Sequence, residues 1–567
     1  MLAFKEFVST LLSKLTPLAW EDIESSLEIP PEPGLGEYAF PCFILARQMK
    51  KSPVDIAREL SARIEPTGML EKALPVGPYL NFHVNRPQLA RRLLPTILEG
   101  RTTARIGLEG QGKTVVVDYS SPNIAKPFGV GHLRSTVIGN ALCRLYRALG
   151  YRVVGINHLG DWGTQFGKLI VAFKRWGDDD QLREDPVHYL FGLYVRFHQE
   201  AETDETLEDE AKQWFLNLER DDPEALELWE RFRALSLEDF KRIYAYLGIQ
   251  FDHYQGESFY NRMLEKTVNM AREKGLAKMS QGALIADLEP YGLPPCLLQK
   301  KDGATLYITR DLAAAMYRYE QYHFDKMLYV VGAEQTLHFK QLFMMLEQME
   351  FPWARHCVHV PFGLIHFKDG RMSTRQGKVI FLEDVINRAV ELAHRIIEEK
   401  NPALEEKKEA ARMVGLGAVI FGDLVNDRIK DIEFDWDKVL DFSGETAPYI
   451  QYAHARICSI LRKAPDLVSP TDAAELDLLS APEEEQLVLT LARFEEQVKR
   501  SALDYKPSHL AHYLVGLSRD FNRFYHNCPV LTADENQKTS RLLLIDAVRV
   551  ILSYGLDLLG IEAPREM

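Results

Sequence analysis

The stretch VVVDYSSPNIAKPFGVGHLRSTVIGNA, residues 115–141, indicates how the centre of this chain folds. Its β-branched start, Val115–Val117, predicts a buried strand, and a polar stretch follows. Next comes Gly129-Val130-Gly131-His132, and then apolar residues at helical spacing as far as a stop at Gly150. Free amides and the dipole at a helix start attract phosphate. The order strand, glycine-containing loop, helix therefore predicts a nucleotide site, in which Gly129 and Gly131 let a ligand lie against the backbone.

A second phosphate-like motif lies just before this stretch. Gly107, Gly112, Lys113 and Thr114 satisfy the pattern G-x-x-x-x-G-K-T. That motif binds phosphate where it follows a strand and opens a helix. Here it directly precedes the strand at Val115, so its amides would not point into a helix-capped cradle. We therefore reject it as a nucleotide loop.

Two later segments carry polar residues of the same kind. NHLGDWGTQFG, residues 157–167, follows a second predicted strand, Arg152–Ile156. It therefore falls at the carboxyl end of a strand, where open α/β sheets bind their ligands. DGRMSTRQGK, residues 369–378, is rich in cations and comes after a further α/β stretch.

Residues 121–136 resemble the His-Ile-Gly-His signature of class I aminoacyl-tRNA synthetases, in the form used by arginyl-tRNA synthetases. We call residues 121–136 the first signature segment. The match consists of Ser121-Pro122-Asn123-Ile124-Ala125-Lys126 and Gly131-His132-Leu133-Arg134-Ser135-Thr136. Gly129 replaces the first histidine of the signature, so no role of that histidine can be carried over. His132 keeps the second position.

Residues 369–378, which we call the second signature segment, resemble the Lys-Met-Ser-Lys signature of the same family in a degenerate form. Arg371 stands for the first lysine and Thr374 for the second. Arg375 and Lys378 are the nearby cations that would supply the missing charge.

The resemblance implies that L-arginine is activated with ATP and then transferred to the 3′ end of tRNA(Arg), with activation dependent on bound tRNA. The attacking carboxylate is already ionised at pH 7, so positioning and charge stabilisation carry the catalysis. Mg²⁺ is expected with ATP, held through phosphates and water. The residues assigned to catalysis are Lys126, His132, Arg371, Arg375 and Lys378. Those assigned to ATP binding are Pro122, Asn123, Gly129, Gly131, His132, Met372 and Ser373.

Selection of arginine requires carboxylates, because the guanidinium is a planar fork of donors. Asp118 ends the first predicted strand, and Asp311 lies four residues after Tyr307, on the same helical face. The segment around Asp311 resembles the arginine-binding helix of the family, and Gln335 resembles a further substrate contact. The expected arginine-binding residues are Asp118, Asn123, Tyr307, Asp311 and Gln335. A helix cap or a surface ion pair is the alternative for each acid.

The chain divides into four expected regions of an α/β multidomain protein. Residues 1–110 form an N-terminal α+β appended domain ending in an edge strand near Tyr79–Val84, which in the family helps to hold the tRNA elbow. Residues 111–395 form a Rossmann-type catalytic domain with a parallel sheet, interrupted by an acidic helical insertion over about 178–250. Residues 396–440 are a helical connection, and 441–567 an all-α bundle resembling the anticodon-binding domain of class Ia synthetases.

In that bundle the expected tRNA-binding residues are Tyr452, Arg456, Arg519 and Arg523. Around Arg519, cations alternate with aromatic residues in RDFNRFYH, residues 519–526. Aromatic rings and arginine planes stack on unpaired bases. An aromatic stripe at helical spacing also serves as core, so Phe521, Phe524 and Tyr525 are expected to divide between the two uses.

Composition agrees with a large multidomain enzyme. The 567 residues are 46% hydrophobic and 26% charged, which is ordinary for globular proteins. The net charge of −14 is unfavourable for nucleic-acid binding, although a minority basic surface is sufficient. Six scattered cysteines without a CxxC pair indicate neither zinc nor a disulfide framework.

No apolar run approaches the roughly 18 residues of a membrane span, and the N-terminus lacks the features of a targeting peptide. We expect a cytoplasmic monomer. Two alternatives stay open: another class Ia synthetase, and a non-catalytic RNA-binding paralogue of a synthetase, which the loss of one signature histidine would suit.

Overall fold

The computed structural model describes residues 1–103, 105–301, 306–367, 380–435, 441, 444–464 and 475–567. The strands in these ranges are β1 (Tyr38–Pro41), β2 (Leu70–Val76), β3 (Tyr79–Val84), β4 (Thr114–Asp118), β5 (Arg152–Asn157), β6 (His253–Tyr254), β7 (Ala277–Ser280), β8 (Ala283–Ala286), β9 (Cys296–Gln299), β10 (Lys326–Tyr329), β11 (Cys357–His359), β12 (Ile365–Phe367) and β13 (Ile432–Phe434).

The α-helices of the same ranges are α1 (Leu2–Leu15), α2 (Trp20–Ser26), α3 (Phe43–Met49), α4 (Pro53–Arg63), α5 (Arg86–Leu98), α6 (Leu133–Ala148), α7 (Thr164–Trp176), α8 (Asp179–Glu184), α9 (Pro186–Ala201), α10 (Thr206–Glu219), α11 (Pro223–Tyr246), α12 (Leu264–Glu273), α13 (Tyr307–Tyr322), α14 (Thr336–Gln348), α15 (Leu382–Lys400), α16 (Lys407–Leu424), α17 (Ala447–Arg462), α18 (Pro482–Ala492), α19 (Phe494–Leu503), α20 (Ser508–Asn527) and α21 (Glu535–Leu558).

A five-stranded sheet in the order β11-β10-β4-β5-β6 forms the centre of the molecule, and all its strand pairs are parallel. In β4, Val115 lies opposite Val153 of β5 on one side and Lys326 of β10 on the other. The three valines of β4 are fully buried, as expected for a parallel strand covered on both faces. The predicted parallel sheet is confirmed. Because the strand order reverses at β4, the carboxyl end of this strand is where such sheets bind ligands.

The N-terminal sheet differs from the sequence-based expectation. Its order is β1-β3-β2, so β3, expected at the edge, is the central strand. Phe82 of β3 lies opposite both Tyr38 of β1 and Ala73 of β2, in antiparallel pairs. Gly77, with φ of +56°, makes the tight turn between β2 and β3. The edge prediction was wrong because β3, whose Leu80 and Phe82 are fully buried, pairs its backbone on both sides.

Helices α8 to α11 lie between β5 and β6 in the chain, where an acidic helical insertion was expected. Asp–Pro pairs begin two of them. The Asp185 carboxylate accepts the amide of His188 at the start of α9, and Asp222 accepts the amides of Glu224 and Ala225 at the start of α11. This is the usual combination of an N-cap acid with proline at the first helical position.

Two glycines explain how β4 begins and α6 ends. Gly150 has φ of +82°, and a Cβ there would lie 1.9 Å from the carbonyl oxygen of Gly107. Gly112, with φ of +75°, turns the chain into β4, which starts at Thr114. The G-x-x-x-x-G-K-T motif thus runs into a strand and opens no helix. Its rejection as a nucleotide loop is confirmed.

The C-terminal helices α17 to α21 pack around a shared core. Leu514 and Phe521 of α20 and Leu552 of α21 are fully buried in it. The α-helices that the structure describes include none with the length and apolar character needed to cross a bilayer.

Candidate active site at the carboxyl edge of the parallel sheet

The first signature segment leaves β4 through a strained turn. Ser120, Ser121 and Ala125 all have positive φ, between 47° and 74°, a conformation that residues with a Cβ rarely adopt. The hydroxyl of Ser120 is 2.7 Å from Thr136 Oγ1 on α6 and 2.6 Å from the hydroxyl of Tyr244 on α11. Such strain persists where the surroundings fix the backbone, and it concentrates at functional sites.

Asn123 packs directly against the segment that follows β5. The amide of Ile124 donates to the carbonyl of Gly160 at 3.1 Å, and the amide of Gly160 donates to the carbonyl of Pro122 at 3.0 Å. A Cβ on Gly160 would lie 2.2 Å from Asn123 Oδ1, so this approach requires glycine. Sequence reasoning did not assign Gly160 a role, although it lies in the quoted segment 157–167.

His132 closes a short 3₁₀ turn, Val130–His132, from which α6 continues. Its Nδ1 atom is buried and has no hydrogen-bond partner among the described residues. Burial lowers the pKa of His132 to about 4; the backbone of Gly129 opposes this shift, and the charge of Lys126 adds to it. The imidazole is therefore neutral at pH 7, and its free nitrogen suits a ligand atom placed beside the turn.

Lys126 precedes this turn, and Gly131 lies within it. Lys126 Nζ lies 5.7 Å from the ring centroid of Tyr194, on insertion helix α9. Gly131 is exposed, and a Cβ there would meet nothing within 4 Å. The backbone at Gly131 is thus open to solvent, and its contact with ATP stays a prediction.

Gly129 joins the first signature segment to a distant part of the chain. It forms an antiparallel bridge with Phe381, while the amide of Val130 donates to the carbonyl of Ile380 at 3.1 Å. The amide of Leu382 donates to the carbonyl of Phe128 at 2.9 Å. Residues 380–382 follow the second signature segment almost directly. Its candidate residues, Arg371, Met372, Ser373, Arg375 and Lys378, lie outside the described residues.

Asp118, at the end of β4, already has a cationic partner within the chain. Its Oδ2 atom is 2.8 Å from Nη1 of Arg318 on α13, and both side chains are almost completely buried. Ser121 Oγ donates to the other carboxylate oxygen at 3.2 Å. Sequence reasoning missed Arg318, since nothing local predicts that an arginine within a helix is buried.

Asp311 lies between two histidines that come from different strand ends. Its Oδ2 is 2.6 Å from Nε2 of His338 on α14, and its Oδ1 is 3.8 Å from Nε2 of His158 beyond β5. Nη2 of Arg318 is 3.4 Å from Nδ1 of His158, so the chain of contacts continues to Asp118. The Asp311 side chain is 23% exposed, which leaves part of it facing solvent.

The other two predicted arginine ligands are exposed around this carboxylate. Tyr307 starts α13, one helical turn before Asp311, and is 65% exposed. Gln335 ends a 3₁₀ turn beyond β10 and is exposed. The strand ends of β4, β5 and β10 thus bring together Asp118, His158 and the turn at Gln335, as the parallel sheet requires.

The predicted tRNA-binding residues lie on α17 and α20. The Arg456 guanidinium is 4.7 Å from the ring centroid of Tyr452 and 5.0 Å from that of Tyr525, so it stacks between two exposed rings. Nη1 of Arg456 also donates to Oδ1 of Asn522 at 3.1 Å. Sequence reasoning named Tyr452 and Arg456 but did not place Tyr525 beside them.

The aromatic residues of α20 divide as expected. Phe521 and Phe524 are fully buried in the core, whereas Tyr525 is 45% exposed. Arg523 is exposed, and Arg519 Nη2 donates to Oε1 of Glu445 at 3.2 Å on the surface.

Models of three known families together match most of the chain. They are the arginyl tRNA synthetase N terminal domain over residues 3–84, the catalytic domain of class I tRNA synthetases (R) over 95–436, and the DALR anticodon binding domain over 450–567.

Curated relatives and solved structures agree with these models. The chain is 46% identical to the arginine–tRNA ligase of Halothermothrix orenii, covering 100% of both chains. It is 49% identical to that of Ligilactobacillus salivarius over 97% of each. The Thermus thermophilus arginyl-tRNA synthetase structure matches with a TM-score of 0.83 at 29% identity, covering 100% of this chain and 99% of that one. The resemblance inferred from the signature segments is confirmed: the chain belongs to the arginyl-tRNA synthetase family.

Proposed function

We propose that this chain activates L-arginine with ATP and transfers the arginine to the 3′ end of tRNA(Arg), both at the carboxyl edge of the parallel sheet. One observation carries the proposal. The first signature segment, which presents the free nitrogen of His132, lies beside the same strand ends as the Asp311 carboxylate. A nucleotide and a cationic amino acid held at these two places would meet in the crevice beyond β4.

ATP is assigned to the first signature segment, with Pro122, Asn123, Gly129, Gly131 and His132 forming its binding surface. The open backbone at Gly131 and the unpaired Nδ1 of His132 fit such a ligand. Met372 and Ser373 of the second signature segment complete the assignment.

The reaction needs charge stabilisation and no protein nucleophile. The arginine carboxylate attacks the α-phosphate of ATP, forming arginyl-adenylate as pyrophosphate leaves. Lys126, together with Arg371, Arg375 and Lys378, would balance the negative charge that spreads over the phosphates. Mg²⁺ would be held mainly by ATP phosphates and water.

Asp311 is the proposed acceptor of the arginine guanidinium, with Tyr307 and Gln335 beside it. His338 holds one of its oxygens at 2.6 Å, and the other, 3.8 Å from His158, is the oxygen proposed to accept the substrate guanidinium. Asn123 is assigned to both the nucleotide and the arginine. We keep Asp118 as a second carboxylate of the pocket, but its charge is already balanced by Arg318, so it contributes less to binding than Asp311.

The tRNA is assigned to the C-terminal helices, through Tyr452, Arg456, Arg519 and Arg523, with further contact from the N-terminal domain at the tRNA elbow. The stacked arrangement of Arg456 between two exposed tyrosine rings supports this assignment, because unpaired bases stack on such planes. We further propose that the protein acts as a monomer in the cytoplasm.

Pyrophosphate exchange into ATP, measured with each amino acid in the presence and absence of tRNA(Arg), tests the proposal. We expect exchange with arginine and with no other amino acid. We expect it only when tRNA is present. Exchange with a different amino acid would indicate another class Ia synthetase. Tight tRNA binding without any exchange would indicate a non-catalytic paralogue.

A further inference from the structure

One arginine of the first signature segment has no part in the chemistry described above. Arg134 is the second residue of α6, and its side chain is only 1% exposed. Burying a charged group is unfavourable unless partners compensate, and a buried ion pair often adds little net stability. We therefore expect a buried arginine beside a reaction site to maintain a specific contact.

The partners of Arg134 come from two distant parts of the chain, around Gly363 and between Asp423 and Lys430. Its Nη1 atom donates to the carbonyls of Gly363 and Lys430, both at 2.8 Å. Its Nε atom is 2.9 Å from Oδ2 of Asp423, on α16, which is 3% exposed. Burial raises the pKa of Asp423 to about 6, and the charge of Arg134 opposes that rise.

The two carbonyls that Arg134 contacts belong to residues just before two paired strands. Gly363 precedes β12 and Lys430 precedes β13, and these strands are parallel with Ile365 opposite Ile432. The amide of Leu364 also donates to Oδ1 of Asp431 at 2.8 Å. The position of β12 relative to α6 is therefore fixed through Arg134.

Strand β12 ends at Phe367, and the next residue that the structure describes is Ile380. On that far side, Ile380 and Phe381 are attached to Val130 and Gly129. The described residues on both sides of the second signature segment are thus bound to the first. Arg134 makes the attachment on one side, and the backbone at Gly129 makes it on the other.

We propose that Arg134 is a positioning residue which, together with Asp423, holds Gly363 and the start of β12 against the first signature segment and thereby controls the rate of arginyl-adenylate formation. The inference rests on the proposed role of Arg371, Arg375 and Lys378. A misplacement of about 1 Å at a reacting centre costs up to roughly a hundredfold in rate. The Asp311 carboxylate lies on α13 and is held by His338 of α14, so we expect it to keep its affinity for the guanidinium.

A second buried pair provides a matched control for purely structural effects. Arg541 Nε is 2.7 Å from Oε1 of Glu484, and Arg541 Nη1 donates to the carbonyl of Pro529 at 2.6 Å. These side chains are 9% and 0% exposed, and they join α21 to α18 within the C-terminal helices. Like Arg134–Asp423, this pair joins a buried arginine to a buried carboxylate, and its partners within the described residues all belong to the C-terminal helices and the loop before α21.

The test compares Arg134→Lys, Asp423→Asn and Arg541→Lys by melting temperature and by pyrophosphate exchange at saturating tRNA. A lysine at position 134 keeps the charge, yet one ammonium cannot reproduce the spread of donors of a guanidinium. We expect kcat to fall between about ten- and a hundredfold in Arg134→Lys, with KM for arginine within twofold of wild type. Asp423→Asn should lower kcat in the same way, and Arg541→Lys should leave it within twofold.

Lys378→Ala, measured in the same assay, separates failure of this inference from failure of the proposed function. A wild-type kcat in folded Arg134→Lys, beside a reduced kcat in Lys378→Ala, would overturn the inference alone. Equal losses of kcat in Arg134→Lys and Arg541→Lys at equal melting temperature would show that the Arg134–Asp423 pair contributes only to the stability of the fold. If Arg134→Lys does not fold, the kcat of Asp423→Asn decides by the same criteria. A wild-type kcat in Lys378→Ala would contradict the role assigned to that cation.

Discussion

At the scale of single residues, burial and partners distinguish the candidate side chains from one another. Asp118 and Asp311 are both carboxylates at the sheet edge, yet only Asp118 is paired with a buried arginine. His132 is neutral at pH 7 because burial lowers its pKa to about 4. These environments favour different roles for the two carboxylates, both of which the sequence predicts to bind arginine.

Replacing His132 tests whether an uncharged hydrogen-bond donor at this position is sufficient for adenylate formation. His132→Ala should lower the rate of pyrophosphate exchange by about 10²–10³-fold, the usual cost of losing one donor to a developing charge. His132→Asn keeps a neutral donor and should retain more activity than the alanine variant. Affinity for tRNA should stay unchanged in both variants. Wild-type exchange in His132→Ala would remove this residue from the site.

Replacing Asp311 tests the selection of arginine. Asp311→Asn keeps the size but removes the charge, and hydrogen bonds to charged groups contribute about 1.5–3 kcal/mol. KM for arginine should therefore rise roughly ten- to a hundredfold, while KM for ATP barely changes. Tyr307→Phe serves as the milder comparison, because it removes only a hydroxyl. A KM for arginine within twofold of wild type in Asp311→Asn would move the main carboxylate to Asp118.

At the scale of elements, turns and helix faces decide which parts can approach each other. Gly150, just after the end of α6, lies so close to the backbone of Gly107 that no side chain fits at position 150. Helices α17 and α20 lie side by side, so Tyr452 and Tyr525 contact Arg456 from two different elements. Each of these arrangements is local to one junction and can be tested there.

The junction after α6 predicts a strong effect on stability. Gly150→Ala combines a positive φ with a clash at a backbone oxygen, so it should destabilise the fold by more than about 4 kcal/mol, which is exceptional for one substitution. Gly112→Ala is the matched control: its φ is also positive, but nothing lies within 4 Å of the added Cβ. It should cost only about 1–2 kcal/mol. Equal melting temperatures for the two variants would contradict this difference.

The face shared by α17 and α20 predicts how the ring of Tyr525 contributes to tRNA binding. Tyr525→Ala removes a stacking surface worth about 1–3 kcal/mol per base, so KM for tRNA should rise roughly five- to 150-fold. Tyr525→Phe keeps the ring and should stay within about twofold of wild type. The value of kcat at saturating tRNA should be unchanged in both. An unchanged KM in Tyr525→Ala would place the anticodon elsewhere.

At the scale of the whole molecule, an acidic protein has to bind a polyanion. With a net charge of −14, binding depends on a minority of cations that have no acidic partner beside them. Arg519 forms an ion pair with Glu445 at 3.2 Å, whereas Arg523 is exposed on the next turn of α20 and acts on the acidic side chain of Glu483 only through its charge. The salt dependence of tRNA binding should reveal this difference.

Arg523→Ala should lower the slope of log K for tRNA against log salt by roughly 0.7–0.9, the contribution of one phosphate contact. Arg519→Ala should change the slope less, because Glu445 already neutralises that charge. Titrations at several salt concentrations give both slopes directly. Wild-type slopes in both variants would place these arginines outside the tRNA interface.

The sequence by itself determined the parallel sheet, the two signature segments and the family. The β-branched run of β4, the glycines at positions 129 and 131 and the helix after His132 are short-range patterns, and local sterics and backbone hydrogen bonding express them directly. The limits of the expected regions, at 110, 395 and 440, remain predictions.

Only the tertiary structure decided which side chains meet. Asp118 and Arg318 are 200 positions apart in the chain, and Arg134 reaches Asp423 across a still longer separation. The central place of β3 likewise depends on its pairing with β1. Such pairings follow from how packed elements bring buried polar groups together, because each buried charge needs a partner that no local pattern specifies.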